Sequence, residues 1–269
     1  MTELLTVKNL AVTHKKSDST LVSDVSFSLG AGQSLVILGQ SGSGKTMTCH
    51  ALMCLLDGTR FGVSGSVRYR GAELLTMKPR DARRLYGGEI VMIPQNPLTA
   101  LNPSARIGAQ MTETLALHAE RRGDVKLRIC EALERAGLAE PQRVFRSYPH
   151  MLSGGMLQRV TIAMALMANA GLIVADEPTT ALDVVHRNAT VEAFKALRDN
   201  GAGVLLVTHD FSVASQLGGE LLVMQDSRVV ESGAVDAILA APQHEYTRAL
   251  LDAHRLTKST AETGGAQQC

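Results

Sequence analysis

The sequence predicts an α/β fold: a mostly parallel sheet covered on both faces by helices, preceded by a β layer and interrupted by a helical subdomain. Three observations carry that prediction. The runs SLVIL, GLIVADEP and VLLVTHD are short and almost continuously apolar, as strands buried on both faces are. Helical stretches separate these runs, the alternation that builds parallel sheets. Between about residues 96 and 148 strand character disappears.

Each element follows in chain order. The opening LLTVKNLAV and the later VSFSLGAGQSLVIL alternate or carry β-branched residues, and they read as strands of an N-terminal β layer. SLVILG then runs into GQSGSGKTMTCHALMCLL, a strand, a glycine loop and an apolar helix. A further strand pair is expected at SGSVRYRG and EIVMIPQ. IGAQMTETLALHAER and VKLRICEALERAGL space their apolar residues for helices of the inserted subdomain. After LSGGMLQR, VTIAMALMANA reads as a buried helix and GLIVADEP as a buried strand. VVHRNATVEAFKALRDN is the connecting helix before the strands VLLVTHD and ELLVMQDSRVVESG. The terminal KSTAETGGAQQC is small and polar, which predicts disorder. The expected division is 1–95 for the β layer and the first part of the core, 96–158 for the helical subdomain, 159–255 for the second part of the core, and 256–269 for a disordered tail.

With 269 residues the chain has room for one large α/β domain or one domain with an insertion. Its 27 basic and 26 acidic side chains give a net charge of +1 and form no long like-charged run, so nucleic acid is not expected as the main partner. The cluster from Arg80 to Arg84 reads as a solvated helix face. The uncharged run Val160 to Ala175 is shorter than the roughly 20 residues of a membrane-spanning helix, and Asn169 and Gly171 interrupt it. MTELLTVKNL lacks the basic flank and apolar core of a secretion signal, so a cytoplasmic location is expected. Cys49 and Cys54 fall about 140° apart on the predicted helix. Cys130 is remote and Cys269 terminal, so neither a zinc pattern nor a disulfide framework emerges.

The chemistry concentrates in GQSGSGKT, residues 39–46. Gly39 and Gly44 let the backbone wrap closely enough for N–H groups around Ser41, Gly42 and Ser43 to surround phosphate oxygens, and the following helix adds its positive end. Lys45 would reach the β- and γ-phosphates of a nucleotide and Thr46 would ligate Mg²⁺. LIVADEP ends in two carboxylates at what would be the C-terminal edge of the sheet. There Asp176 is expected to hold Mg²⁺, directly or through water, and Glu177 to activate the attacking water. Ser153, Gly154 and Gly155 open a helix and make a second small anion site. Gln95 and His209 end strands and gain meaning only from their company.

GQSGSGKT, Gln95, LSGGMLQR, LIVADEP, TTALD and His209, in this order and spacing, resemble the ATP-binding cassette (ABC) ATPases over the chain up to about residue 255. The resemblance implies a P-loop, RecA-like ABC ATPase core with ATP and Mg²⁺ as cofactors. It implies that two cassettes pack head to tail, with Ser153, Gly154 and Gly155 donating to the γ-phosphate held by the partner's glycine loop. By the same resemblance Gln95 would contact Mg²⁺ or the water, His209 would hold the γ-phosphate and Asp183 would cross the dimer interface. His14 stands where the family often stacks an aromatic ring on adenine, and it offers less area for the purpose. Met156 replaces the commoner glutamine of the signature.

QNPLTALNP, SGGMLQR, DEPTTALDVV and HEYTRALLDAH are similar to the peptide, opine and nickel importer branch, and most of all to nickel-importer ATP-binding subunits. Many peptide-importer cassettes carry a longer C-terminal extension with a cysteine cluster, and this sequence stops at a single terminal cysteine. The expected cargo is therefore nickel or a metal–metallophore chelate, with a di- or oligopeptide as the alternative. The implied assembly is a heterodimer with a second ATPase subunit, two membrane permease subunits and an extracytoplasmic substrate-binding protein, on the cytoplasmic face of a bacterial inner membrane. A soluble cassette acting on DNA or ribosomes would bring a long coiled-coil insertion or two cassettes in one chain. A non-catalytic regulator would lack Glu177 or His209, and a kinase would have no use for an outward γ-phosphate site.

Overall fold

The computed structural model describes residues 3–117, 124–180 and 182–264. β1 (Glu3–His14) and β2 (Ser19–Gly30) pair antiparallel, and β3 (Ser34–Leu38) leads through the glycine loop into α1 (Lys45–Leu52). β4 (Phe61–Tyr69) returns antiparallel to β1 and pairs with the short β5 (Ala72–Glu73). These make a four-stranded antiparallel sheet in the order β2-β1-β4-β5. α2 (Pro79–Leu85) and β6 (Ile90–Ile93) follow, then the helical subdomain of α3 (Ile107–Leu117), α4 (Val125–Arg135) and α5 (Pro141–Arg146).

α6 (Gly154–Ala168) brings the chain back to the core, where β7 (Leu172–Asp176), α7 (Val184–Asp199), β8 (Gly203–Thr208), α8 (Phe211–Leu217) and β9 (Glu220–Gln225) complete the parallel sheet. β10 (Arg228–Ala234), α9 (Val235–Ala240) and α10 (Glu245–Gly264) close the chain. The second sheet has six strands in the order β10-β9-β3-β8-β7-β6, parallel except for β10 on its edge.

Period-two alternation in the central strands divides the interior. Leu35 and Ile37 of β3 and Leu205 and Val207 of β8 join the layer shared with the antiparallel sheet and α1. Val36, Leu38, Val204 and Leu206 face the other way, toward α6, α7 and the helical subdomain. Every residue of β3, β7 and β8 is buried, which is why their sequences read as continuous apolar runs.

Several expectations are corrected. The strands at SGSVRYRG and EIVMIPQ do not pair: β4 belongs to the antiparallel sheet and β6 to the far edge of the parallel one. α1 stops at Leu52, so Cys54 lies beyond it, with a φ of 52°, and the two cysteines share no helix. α6 runs unbroken from Gly154 to Ala168 across residue 158, capped by Ser153 at one end and by Asn169 with a φ of 46° at the other. α10 carries the backbone in helical form to Gly264. Its apolar stripe is anchored by buried Leu251, and the later polar turns propagate from a helix already nucleated. Cys269, with residues 265–268, lies outside the described residues. Among those described, no helix is long and apolar enough to cross a membrane.

Candidate functional site

Four parallel strands, β3, β6, β7 and β8, end on one edge of the sheet, and the predicted chemistry gathers there. At that edge the chain leaves Leu38 through residues 39–44. A Cβ on Gly39 would strike the Met224 carbonyl oxygen and come within 2.7 Å of Ser43 Oγ, so the backbone passes where only glycine fits. Gly42 and Gly44 adopt φ of 85° and 101°, the left-handed region that favours glycine. The Gln40 carbonyl oxygen accepts from the Ser43 N–H at 3.2 Å and from Lys45 Nζ at 2.8 Å, which folds the loop over its own lysine.

Lys45 is only 4% exposed, and burial pushes its pKa down, partly opposed by Glu177 and Asp176. The Ser43 hydroxyl is buried without a hydrogen-bond partner. A buried cation at the wall of a glycine-rich loop fits a phosphate, which would satisfy its charge.

Asp176 ends β7 at 1% exposure, and burial pushes its carboxyl pKa up although Thr46 donates a hydrogen bond to it at 3.2 Å. One carboxylate and one hydroxyl beside a phosphate cradle suit Mg²⁺, which takes few protein ligands and completes its shell with water and phosphate oxygens. Among the described residues, no group of three or more His, Cys, Asp or Glu is placed to hold a metal ion.

Glu177 has a φ of 46°, unusual for a residue with a side chain, and its N–H is held by the Val207 carbonyl at 2.9 Å. Its Oε2 accepts from the Thr180 hydroxyl at 2.7 Å and lies 2.9 Å from His209 Nδ1. The parallel register sets Asp176 beside Val207, so the residues just past each strand end meet. Gln95 arrives two residues after β6, itself in register with β7.

Lys45, Thr46, Gln95 and Glu177 line a cavity of about 340 Å³ together with Leu21, Ser41, Gly42, Gly44, Met47 and Ser227, while Asp176 and His209 stand behind Thr46 and Glu177 and are not part of its wall. Other expected residues lie elsewhere. His14 packs edge-on against Phe61 with ring centroids 5.5 Å apart, and its Nδ1 is 3.0 Å from Ser17 Oγ. It is not part of the cavity wall. Ser153 is exposed and caps α6, accepting from the Met156 N–H at 3.3 Å. Gly154 faces open space, with nothing within 4 Å of where a Cβ would sit. Asp183 is exposed at the start of α7, where the His186 N–H at 2.9 Å and the His186 ring hold its carboxyl below the usual range. The chain thus assembles one phosphate-type cavity and leaves Ser153, Gly154 and Asp183 facing outward.

Sequence reasoning missed Gln40, Thr180, Leu21, Met47 and Ser227. Gln40 and Thr180 lie inside quoted motifs and could have been found there. Leu21 and Ser227 come from β2 and the β9–β10 turn, and no local signal marks them.

The family described as ABC transporter matches residues 22–180 of this chain. The metal-staphylopine import system ATP-binding protein CntD of Staphylococcus aureus (strain NCTC 8325 / PS 47) is 37% identical over 250 residues, covering 92% of each chain. The oligopeptide transport ATP-binding protein OppD of Bacillus subtilis (strain 168) is 38% identical over 267 residues, covering 97% of this chain and 75% of that one. Among solved structures, the dimeric post-hydrolysis state of the ATP-binding cassette MJ0796 bound to ADP and Pi superposes with a TM-score of 0.75. It is 28% identical and covers 86% of this chain and 98% of that one.

Proposed function

The chain belongs to the ABC transporter family, and from that premise we propose that it is the ATP-hydrolysing subunit of an importer for nickel or a metal–metallophore chelate. ATP is its nucleotide, Mg²⁺ the associated ion, and hydrolysis is coupled to transport. The observation that carries the catalytic reading is the convergence of buried Lys45, the Thr46–Asp176 pair and the Glu177–His209 pair on one sheet edge.

In this reading the loop from Gly39 to Thr46 holds the β- and γ-phosphates through its N–H groups and Lys45, with Ser41, Gly42, Ser43 and Gly44 contributing to the cradle. Thr46, Asp176 and Gln95 hold Mg²⁺, which when bound draws charge from the phosphate oxygens. Glu177 accepts a proton from the attacking water, and its carboxylate is oriented by Thr180 and His209. The half-exposed His209 ring has its second nitrogen available for the γ-phosphate. His14 covers adenine once the base extends past the cavity rim. Ser153, Gly154 and Gly155 complete a site on a second ATPase subunit, with Asp183 between the two. This pair works at the cytoplasmic face of the membrane, with two permeases in the membrane and a substrate-binding protein on its extracytoplasmic side.

Similarity to CntD, together with the motifs QNPLTALNP and DEPTTALDVV, supports the metal cargo. The comparable identity to OppD supports a second reading, a di- or oligopeptide importer. Cells whose only copy carries Glu177→Gln separate the two. Loss of labelled nickel uptake, measured with and without a chelator, supports metal cargo. Loss of labelled dipeptide uptake alone moves the protein to the peptide importers.

A further inference from the structure

We propose that Tyr246 is a positioning residue for the phosphate loop, through which α10 sets the backbone at Gln40 and hence the aim of Lys45. The Gln40 N–H donates to the Tyr246 hydroxyl at 3.2 Å, a contact between residues 206 apart in sequence. The carbonyl oxygen of the same residue takes Lys45 Nζ at 2.8 Å and the Ser43 N–H at 3.2 Å. Gln40 is therefore held from outside the loop on one side and holds the cation and the turn on the other.

Tyr246 is itself fixed. Its ring packs on the core beneath the parallel sheet, and its N–H donates to His244 Nδ1 at 3.2 Å. Immediately before α10, the N–H groups of Gln243 and His244 donate to the Glu231 carboxylate at 2.7 and 3.1 Å, which pins the start of the helix to β10. The line of contacts runs from β10 through Glu231, the first turn of α10, Tyr246 and Gln40 to Lys45.

A loop with glycine at positions 39, 42 and 44 has little stiffness of its own. Donors that are already aimed bind phosphate without a reorganisation penalty, so an external brace on Gln40 strengthens nucleotide binding. The Tyr246 hydroxyl is spent on Gln40 and takes no part in the chemical step. Its removal therefore weakens binding of ATP and leaves the rate at saturation unaltered.

Tyr246→Phe keeps the ring and removes only the hydroxyl. The expected result is an unchanged melting temperature, an unchanged kcat, and a rise of about two- to tenfold in the KM for ATP and in the Kd of a non-hydrolysable ATP analogue, the worth of one neutral hydrogen bond. An unchanged KM, or a fall in kcat at constant KM, overturns the proposal. The proposal rests on ATP as the ligand of the cavity, and binding of the analogue to the unaltered chain tests that reading separately. Hydrogen exchange on the unaltered chain is the second measurement: the analogue is expected to slow exchange in residues 39–46 and also in 244–250. Protection confined to 39–46 overturns the brace.

Discussion

His209 Nδ1 lies 2.9 Å from Glu177 Oε2, so the residue after β8 meets the residue after β7 where the latter lines the cavity. Glu177→Gln would remove the proposed proton acceptor, and His209→Ala frees its carboxylate from a neighbour at 2.9 Å. Each is expected to lower kcat by about 10²–10⁴-fold while ATP binding persists. Phosphate release together with nucleotide titration checks this; a variant that loses binding along with turnover would assign these residues to the cradle instead.

Lys45 carries a burial penalty that ATP relieves. Its folded pKa is depressed, so the unfolded chain holds the proton more tightly, and charged Lys45 subtracts from stability at every pH below that folded value. Lys45→Met is expected to melt at the same or a higher temperature without nucleotide, and to lose the upward shift that ATP and Mg²⁺ give the unaltered chain. Thermal melts with and without nucleotide decide it, and a clear drop in the unliganded melting point would count against the argument.

Arg187 and Asp210 join α7 to the residue beside His209 at 2.9 Å, both largely shielded from solvent. Burial pushes the Asp210 carboxyl up, but the Ser212 hydroxyl and N–H and the Arg187 guanidinium prevail and hold it below the usual range. The stabilisation this gives is present above the unfolded value of about 3.9 and is lost as pH falls through the folded one. Arg187→Met is expected to cost about 1–3 kcal/mol at neutral pH by stranding a shielded charge. For Asp210→Asn, the deficit against the unaltered chain should shrink on going from pH 7 to pH 3 in urea unfolding. A deficit that grows on acidification would reverse the sign.

The start of α6 separates a structural role from a proposed functional one. Ser153→Ala removes the cap of α6 and is expected to cost about 0.5–2 kcal/mol in unfolding free energy. Gly154→Asp puts a carboxylate into open space at a helix start, where the fold tolerates it; under the proposed pairing it would set negative charge against the γ-phosphate on the partner. It should melt like the unaltered chain, bind ATP in its own cavity, and hydrolyse almost none when mixed with the second subunit. Normal hydrolysis by Gly154→Asp would remove the signature from the active site.

How much was legible in the sequence follows from where the constraints are local. The glycine loop, β7 and β8 announced themselves because a fully buried parallel strand must be continuously apolar, and because Lys45, Asp176 and Glu177 sit at fixed steps from strand ends. The pairing of β4 and β6 was misread because each run looks like a strand and nothing in either names its neighbour. Gln40 was overlooked within a motif whose side chains attract attention, since it acts through its backbone. Tyr246 lies inside HEYTRALLDAH, but nothing in that motif names its contact: its partner lies 206 residues away, and only the folded sheet brings β10, α10 and the loop together.

The outward-facing Ser153 and Gly154 also bear on how the protein is made and counted. Under the proposed pairing, a chain whose second anion site lies outside its own cavity would hold half of each of two engines. Diluted copies would then bind nucleotide and stall, and specific activity is expected to rise with protein concentration until pairing saturates. In a cell, surplus copies beyond their partners would add nucleotide-binding capacity and no uptake. Matched synthesis of the subunits would then be as much a requirement for transport as any residue in the cavity.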